Sequence, residues 1–153
     1  LEECINKTID LLEANFKENN IKLICNMEEI QILGYETELI QVLINILNNS
    51  KDALLSLHDQ ERLIFINVKK ENGKALIKIK DNAGGIQEDI IEQIFGPYFT
   101  TKHQAQGSGI GLYMCQEIIY KHMNGHIDIT NIEFNHEGKT YKGALSIIVL
   151  EHE

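Results

Sequence analysis

Apolar residues Ile5, Ile9, Leu12 and Phe16 recur at helical spacing and predict a helix over about 2–18. IKLICN (21–26) and a short EIQIL (29–33) read as strands. A longer periodic stretch predicts a second helix from about Glu36 to Leu57. At roughly 100° per residue its core stripe is Leu39, Leu43, Ile46, Ser50, Leu54 and Leu57. LIFINVKK (63–70) and KALIKIKD (74–81) alternate apolar and polar residues around Glu71-Asn72-Gly73, a hairpin pattern. A short helix near 88–94, a long loop over 96–107 and a helix from about Gly109 to His122 follow. HIDITN (126–131) and GALSIIVL (143–150) close the order as a second hairpin. Strands first and last with helices between predict an α/β two-layer sandwich. Its mixed sheet has about five strands and is covered on one face by three main helices, as a single domain over 1–153.

Composition narrows the classes of function. The 153 residues are 43% hydrophobic and 24% charged, the balance of a soluble globular domain. No run approaches the ~20 apolar residues of a membrane-spanning helix, and no secretory leader is visible. With 14 Lys plus Arg against 23 Asp plus Glu, the net charge of −9 argues against nucleic acid as a partner. Cys4, Cys25 and Cys115 are odd in number, widely spaced and form no CxxC pair. They read as small buried or half-buried thiols, and the expected location is the cytoplasm. The chain starts at Leu1, so it is expected to be a piece of a longer protein.

Two features call for chemistry. Asn45, Asn49 and Asp52 stand at i, i+4 and i+7 on one flank of the long helix, with Glu38 on the same face. Asn and Asp are mediocre helix formers. Such a row is either a solvated face or a set of oxygens facing a hydrated Mg²⁺. The second feature is glycine: six of 11 fall within 84–111. Asp81 ends a strand and begins DNAGGI (81–86), where a carboxylate can accept a hydrogen bond from an adenine amino group. GSGIGL (107–112) runs from a glycine loop into a helix, whose N-terminus favours a phosphate. Between them, Phe95, Tyr98 and Phe99 precede Thr100, Thr101 and Lys102, the pattern of an anchored hinge and a phosphate-touching lid.

In this order and spacing the segments resemble the catalytic ATP-binding domain of bacterial sensor histidine kinases, in the superfamily shared with DNA gyrase and the heat-shock 90 chaperone. QVLINILNNSKDAL (41–54) matches the N box, DNAGGI the first glycine box, IFGPYFTTK (94–102) the F box and GSGIGL the second glycine box. GLYMCQEIIYKHMNGHI (111–127) is also similar to that family, and the resemblance covers roughly 36–150.

The resemblance implies a Bergerat-type ATP-binding fold with ATP and Mg²⁺ as ligands. It implies that Asn49 ligates the metal, that Asn45 sits beside the metal's waters and the phosphates, and that Asp52 lies near ribose and phosphates. Asp81 would read the adenine amine, with Gly85 giving the base room and Ile86 completing that box. Thr100, Thr101 and Lys102 would reach the nucleotide from the lid, and Gly107, Ser108, Gly109, Ile110, Gly111 and Leu112 would line its phosphate end. Asn45, Asn49 and Lys102 form the implied catalytic set. Ala83 and Gly96 depart from the family pattern.

ATP-hydrolysing cousins carry a Glu four residues before the metal Asn, to activate water. Here that position is Asn45, whose amide is not a base near neutral pH. Transfer to a protein side chain is therefore expected over hydrolysis. His58-Asp59, His136-Glu137 and His152-Glu153 lack the following proline of the family's acceptor helix, since Pro97 is the only proline. The acceptor-histidine dimerisation domain is therefore expected upstream in the same parent protein, with a response regulator receiver domain as the next partner. The isolated domain is expected to be a monomer and the parent a homodimer. The competing readings are a module that binds nucleotide only as a regulatory ligand, an ATP-gated clamp of the gyrase kind, and a serine-kinase anti-sigma factor. Asn45 disfavours the clamp, and IFGPYFTTK leans away from the anti-sigma factor.

Overall fold

The computed structural model describes residues 1–32, 36–58, 60–87, 91 and 111–151. The opening amphipathic pattern forms α1 (Glu2–Glu18), with Ile5 and Phe16 each 1% exposed on its inner face. It is followed by β1 (Ile21–Met27), α2 (Glu36–Leu54), β2 (Arg62–Glu71), β3 (Lys74–Asp81), α3 (Gly111–Met123), β4 (His126–His136) and β5 (Lys139–Glu151). The five strands make one sheet in the order β1-β2-β3-β5-β4. β1 and β2 are parallel, joined by the α2 crossover, and the other pairs are antiparallel. The mixed sheet with three helices expected from the sequence is present.

Alternation along the strands decides which face is covered. Ile64, Ile66 and Val68 of β2, Ala75, Ile77 and Ile79 of β3, and Ile148 and Leu150 of β5 share one buried face. Against it pack Leu39, Leu43, Ile46 and Leu47 of α2, with Phe16 of α1 and Cys115 and Ile119 of α3. Burial of such side chains contributes roughly 1.5–3 kcal/mol each, so this layer carries most of the favourable energy.

Three boundaries differ from the sequence expectation. α2 stops at Leu54 rather than Leu57, and Leu57 is only partly buried beyond it. Arg62 accounts for this. Its guanidinium donates to the carbonyl oxygens of Leu57 (2.8 and 3.0 Å) and Asn19 (2.7 Å), so one cation caps the C-terminal ends of both α1 and α2. EIQIL forms no strand among its described residues apart from an isolated bridge at Ile32. Ile30 is nevertheless 4% exposed, so its side chain rather than a ladder anchors the segment. The last hairpin is longer than predicted and turns at Glu137-Gly138, where both residues have positive φ. The predicted 88–94 helix, apart from Ile91, and the 96–107 loop lie outside the described residues.

The extended hairpin has a role on the sheet's helix-free face. Its Phe134 and His136 meet Phe65 of β2 edge-on, at ring separations of 5.5 and 5.0 Å. The Lys80 ammonium sits 4.2 Å from the Phe134 centroid and 4.9 Å from that of Phe65. Burial, with Lys78 beside it, lowers the Lys80 pKa. His136 is thus a packing residue of this face. Cys4 and Cys115 are buried free thiols as expected, but Cys25 is exposed on β1 at the sheet edge.

Candidate functional site

Asp81 ends β3 and is only 4% exposed. Its Oδ1 accepts from the backbone N–H of Ala83 (3.0 Å) and of Ala144 on β5 (3.2 Å), and the Ser50 side chain of α2 adds a further hydrogen bond. Burial pushes the carboxyl above the usual range, and these three bonds oppose the rise. Among the described residues no cation pairs with it. A carboxylate held by donors at a strand end, without an ion partner, has acceptor capacity left for a polar ligand. Ser50, a hydroxyl in an otherwise apolar stripe, was the sequence signal that the stripe faces something polar.

Gly143 explains how β5 comes so close. A Cβ built there would stand 1.6 Å from the Asp81 carbonyl oxygen. Gly143→Ala is expected to push β5 off β3 and weaken the Ala144 bond to Asp81. The expected cost is about 1–3 kcal/mol, the range for overpacking a tight site. A lowered denaturation midpoint checks this, and an unchanged midpoint refutes it.

The loop after Asp81 is tied on both sides. Asn82 Oδ1 accepts from Leu63 N–H (2.9 Å) and its Nδ2 donates to the Glu61 carbonyl (2.8 Å). Gly84 and Gly85 have φ of +97° and +87°, which L side chains rarely adopt. Gly84 N–H donates to the Lys142 carbonyl at 2.9 Å. The Asn131 side chain binds both the N–H and the carbonyl of Ile86, at 2.7 and 2.6 Å. A Cβ on Gly85 would lie 2.9 Å from Asn131 Oδ1, so this glycine answers to backbone conformation and to Asn131.

The other end of the site lies along α2. Asn45 and Asn49 are half-buried on its flank, and Asp52 is exposed in the last turn. Asn45 Nδ2 donates to the Gln41 carbonyl (3.1 Å), and its Oδ1 lies 3.4 Å from where a Cβ on Gly111 would stand. The first residue of α3 therefore abuts Asn45. Burial pushes the neighbouring Cys115 thiol up to about 12, so it is an inert packing group. Glu38 shares the α3-facing side of α2 with Asn45, but there it binds His122 at 2.6 Å and fixes the C-terminal end of α3 to the first turn of α2. The two helices thus run antiparallel, with the N-terminus of α3 facing mid-α2.

Ser50 and Asn45 are five residues apart, a rise of about 7.5 Å on a helix. One end of this span meets the buried Asp81 acceptor and the other the start of α3. The arrangement suits a ligand with a hydrogen-bond donor at one end and negative charge at the other. Among the described residues no cluster of three or more His, Cys, Asp or Glu is placed to hold a metal. Two amide oxygens on one helix flank fit instead a hydrated Mg²⁺ that takes few protein ligands and fills its shell with water and phosphate oxygens. Gly111 and Leu112 of the second glycine box are in place at the start of α3. Thr100, Thr101, Lys102, Gly107, Ser108, Gly109 and Ile110 lie outside the described residues. Sequence reasoning missed Asn82, Asn131 and Gly143. Asn131 had a signal: it follows Ile127 and Ile129 in the inward register of β4, where another apolar residue is expected.

The chain is similar to known proteins in sequence and in fold. Residues 34–150 match the family described as histidine kinase-, DNA gyrase B- and HSP90-like ATPase. Sporulation kinase C of Bacillus subtilis is 30% identical over 153 residues, an alignment covering 98% of this chain and 32% of that protein. The chain spans about a third or less of the length of the curated relatives it matches. The catalytic domain of histidine kinase ThkA, in a nucleotide-free form, superposes with a TM-score of 0.81 at 27% identity, covering 99% of this chain and 92% of that one. Histidine kinase ThkA in complex with response regulator protein TrrA superposes with a TM-score of 0.74 at 25% identity, covering 100% of this chain and 40% of that one.

Proposed function

Since the chain belongs to the family of histidine kinase-, DNA gyrase B- and HSP90-like ATPases, we propose that it binds Mg²⁺–ATP and donates the γ-phosphate to a histidine on the dimerisation helices of a parent sensor kinase. Onward transfer to a response-regulator aspartate follows from the same reading, supported by the relative crystallised with its regulator. The observation that carries it is the placement along α2 of a buried, hydrogen-bonded Asp81 at one end and Asn45 against the N-terminus of α3 at the other. Among the described residues no helix is long and apolar enough to cross a membrane.

In this reading Asp81 accepts from the adenine amino group, where guanine would present a repelling carbonyl oxygen. Gly85 and Ile86 carry the loop past the base, and Asp52 lies toward the ribose. Asn49, with Asn45 beside it, would hold Mg²⁺, which supplies charge neutralisation on the phosphates. Gly111 and Leu112, with Gly107, Ser108, Gly109 and Ile110, present the α3 N-terminus to the phosphates, and Thr100, Thr101 and Lys102 complete that end. Asn45 cannot take a proton from water near neutral pH, so the bound phosphate is kept for a protein acceptor.

Radiolabelled ATP tests the proposal. The chain alone should gain no acid-labile label and release phosphate slowly, because none of its His-acid pairs is followed by the proline of the family's acceptor helix. Adding the dimeric acceptor helices of its parent should place label on their histidine. Rapid phosphate release without any acceptor would favour the clamp reading, and label on the chain itself would refute the missing acceptor.

A further inference from the structure

We infer that Asn131 is a positioning residue that pairs the base-reading loop to β4 and so sets nucleotide affinity and base discrimination, an inference that rests on the proposed adenine role of Asp81. Asn131 stands opposite Ala144 in the β4–β5 register, and Ala144 N–H is one of the donors to the Asp81 carboxylate. The Asn131 side chain therefore projects from the rung that also holds the proposed base reader. Its amide spans Ile86 with two short bonds, Oδ1 accepting from the N–H at 2.7 Å and Nδ2 donating to the carbonyl at 2.6 Å. The flipped orientation would set oxygen against oxygen and N–H against N–H, so the loop itself dictates which way this amide points.

An asparagine used this way imitates a peptide group, and pairs the loop as a neighbouring strand would. Ala83 N–H to Asp81 and Gly84 N–H to the Lys142 carbonyl tie the loop before Ile86, and Ile91 N–H donates to the Gln87 carbonyl after it. Gly84 and Gly85 both have positive φ, and they resist disordering poorly because glycine has the most conformations to regain. Removing the Asn131 amide releases Gly85 and Ile86 while leaving Asp81 and its donors where they are.

The test uses the 153-residue chain with Asn131→Ala and Asn131→Asp. Alanine should weaken ATP, ADP and adenosine by the same factor, about tenfold, on the scale of two neutral hydrogen bonds of modest net worth. The equal loss on adenosine places the defect at the base, and the ATP-to-GTP affinity ratio should narrow. Phosphotransfer to the added acceptor helices at saturating ATP should keep its rate, so KM moves and kcat does not. Hydrogen exchange at the Ile86 amide should quicken while exchange in β2 and β3 stays unchanged, which a general loss of structure would not produce. Aspartate keeps the acceptor but loses the donor and faces the Ile86 carbonyl with charge, so it should bind no better than alanine. Unchanged affinity in the alanine variant, unchanged Ile86 exchange, or an aspartate variant equal to the parent chain would each overturn the inference. A parent chain that binds ATP and GTP equally would sink the adenine reading instead, and the Ile86 exchange would still decide whether Asn131 holds the loop.

Discussion

Asn49→Ala is expected to abolish Mg²⁺-dependent transfer to an added acceptor histidine, a loss on the order of 10²-fold or more, the scale seen when one charge-stabilising group is removed. Nucleotide binding measured in a chelator should change little, because Ser50 and Asp81 are untouched. Asn45 does not replace the missing amide, since in this reading it already holds its own place beside the metal's waters, four residues back along α2. Alanine also favours the helix more than asparagine does, so thermal stability should hold or rise. Calorimetry with and without Mg²⁺, alongside the transfer assay, separates the two effects. Full transfer by the alanine variant would remove Asn49 from the metal.

Asp81→Asn should cost ATP binding roughly 10- to 150-fold, since a hydrogen bond to a charged group is worth about 1.5–3 kcal/mol. The gap between ATP and GTP should close, because an amide can turn a donor toward the guanine oxygen. The loop should survive, as the asparagine oxygen can still accept from Ala83 and Ala144. Stability should move the other way. Burial raises the Asp81 carboxyl above its unfolded value. The folded state therefore holds this proton more tightly, and the stability that gives at acid pH is lost as pH rises through the folded value. Removing the ionisation should leave the variant at least as stable as the parent chain at neutral pH and flatten its stability against pH in the acid range. A weaker binder that melts higher is the expected signature. A variant that binds ATP normally refutes the role of Asp81.

What could be read from sequence was what local periodicity encodes. α1 matched its predicted span because one apolar stripe and a polar remainder define it. Asp81 was legible because a carboxylate followed by two glycines interrupts an alternating strand. Its third hydrogen bond was half-legible, in the lone hydroxyl of Ser50 on an apolar stripe. The features missed all come from distant parts of the chain. Arg62 ended α2 early by reaching carbonyls of both helices, which no propensity of the 55–57 segment reports. The hairpin continued past Asn131 because its outer half packs on Phe65 and Lys80, residues of other strands. Gly143 and Asn131 acquire meaning only once β5 and β4 lie beside Asp81 and Ile86.

The position of β5 also governs the order in which the molecule can be assembled. It lies inside the sheet, between β3 and β4, yet it is the last strand of the sequence. During synthesis β3 therefore waits with one hydrogen-bonding edge bare until β5 has been made, and such edges invite pairing with other chains. This late, non-local closure should dominate the folding time. Ala144 arrives with the same strand, so Asp81 gains its donor from β5 only when the sheet shuts. A nascent chain should thus become able to take up nucleotide in the same step that removes its exposed edge.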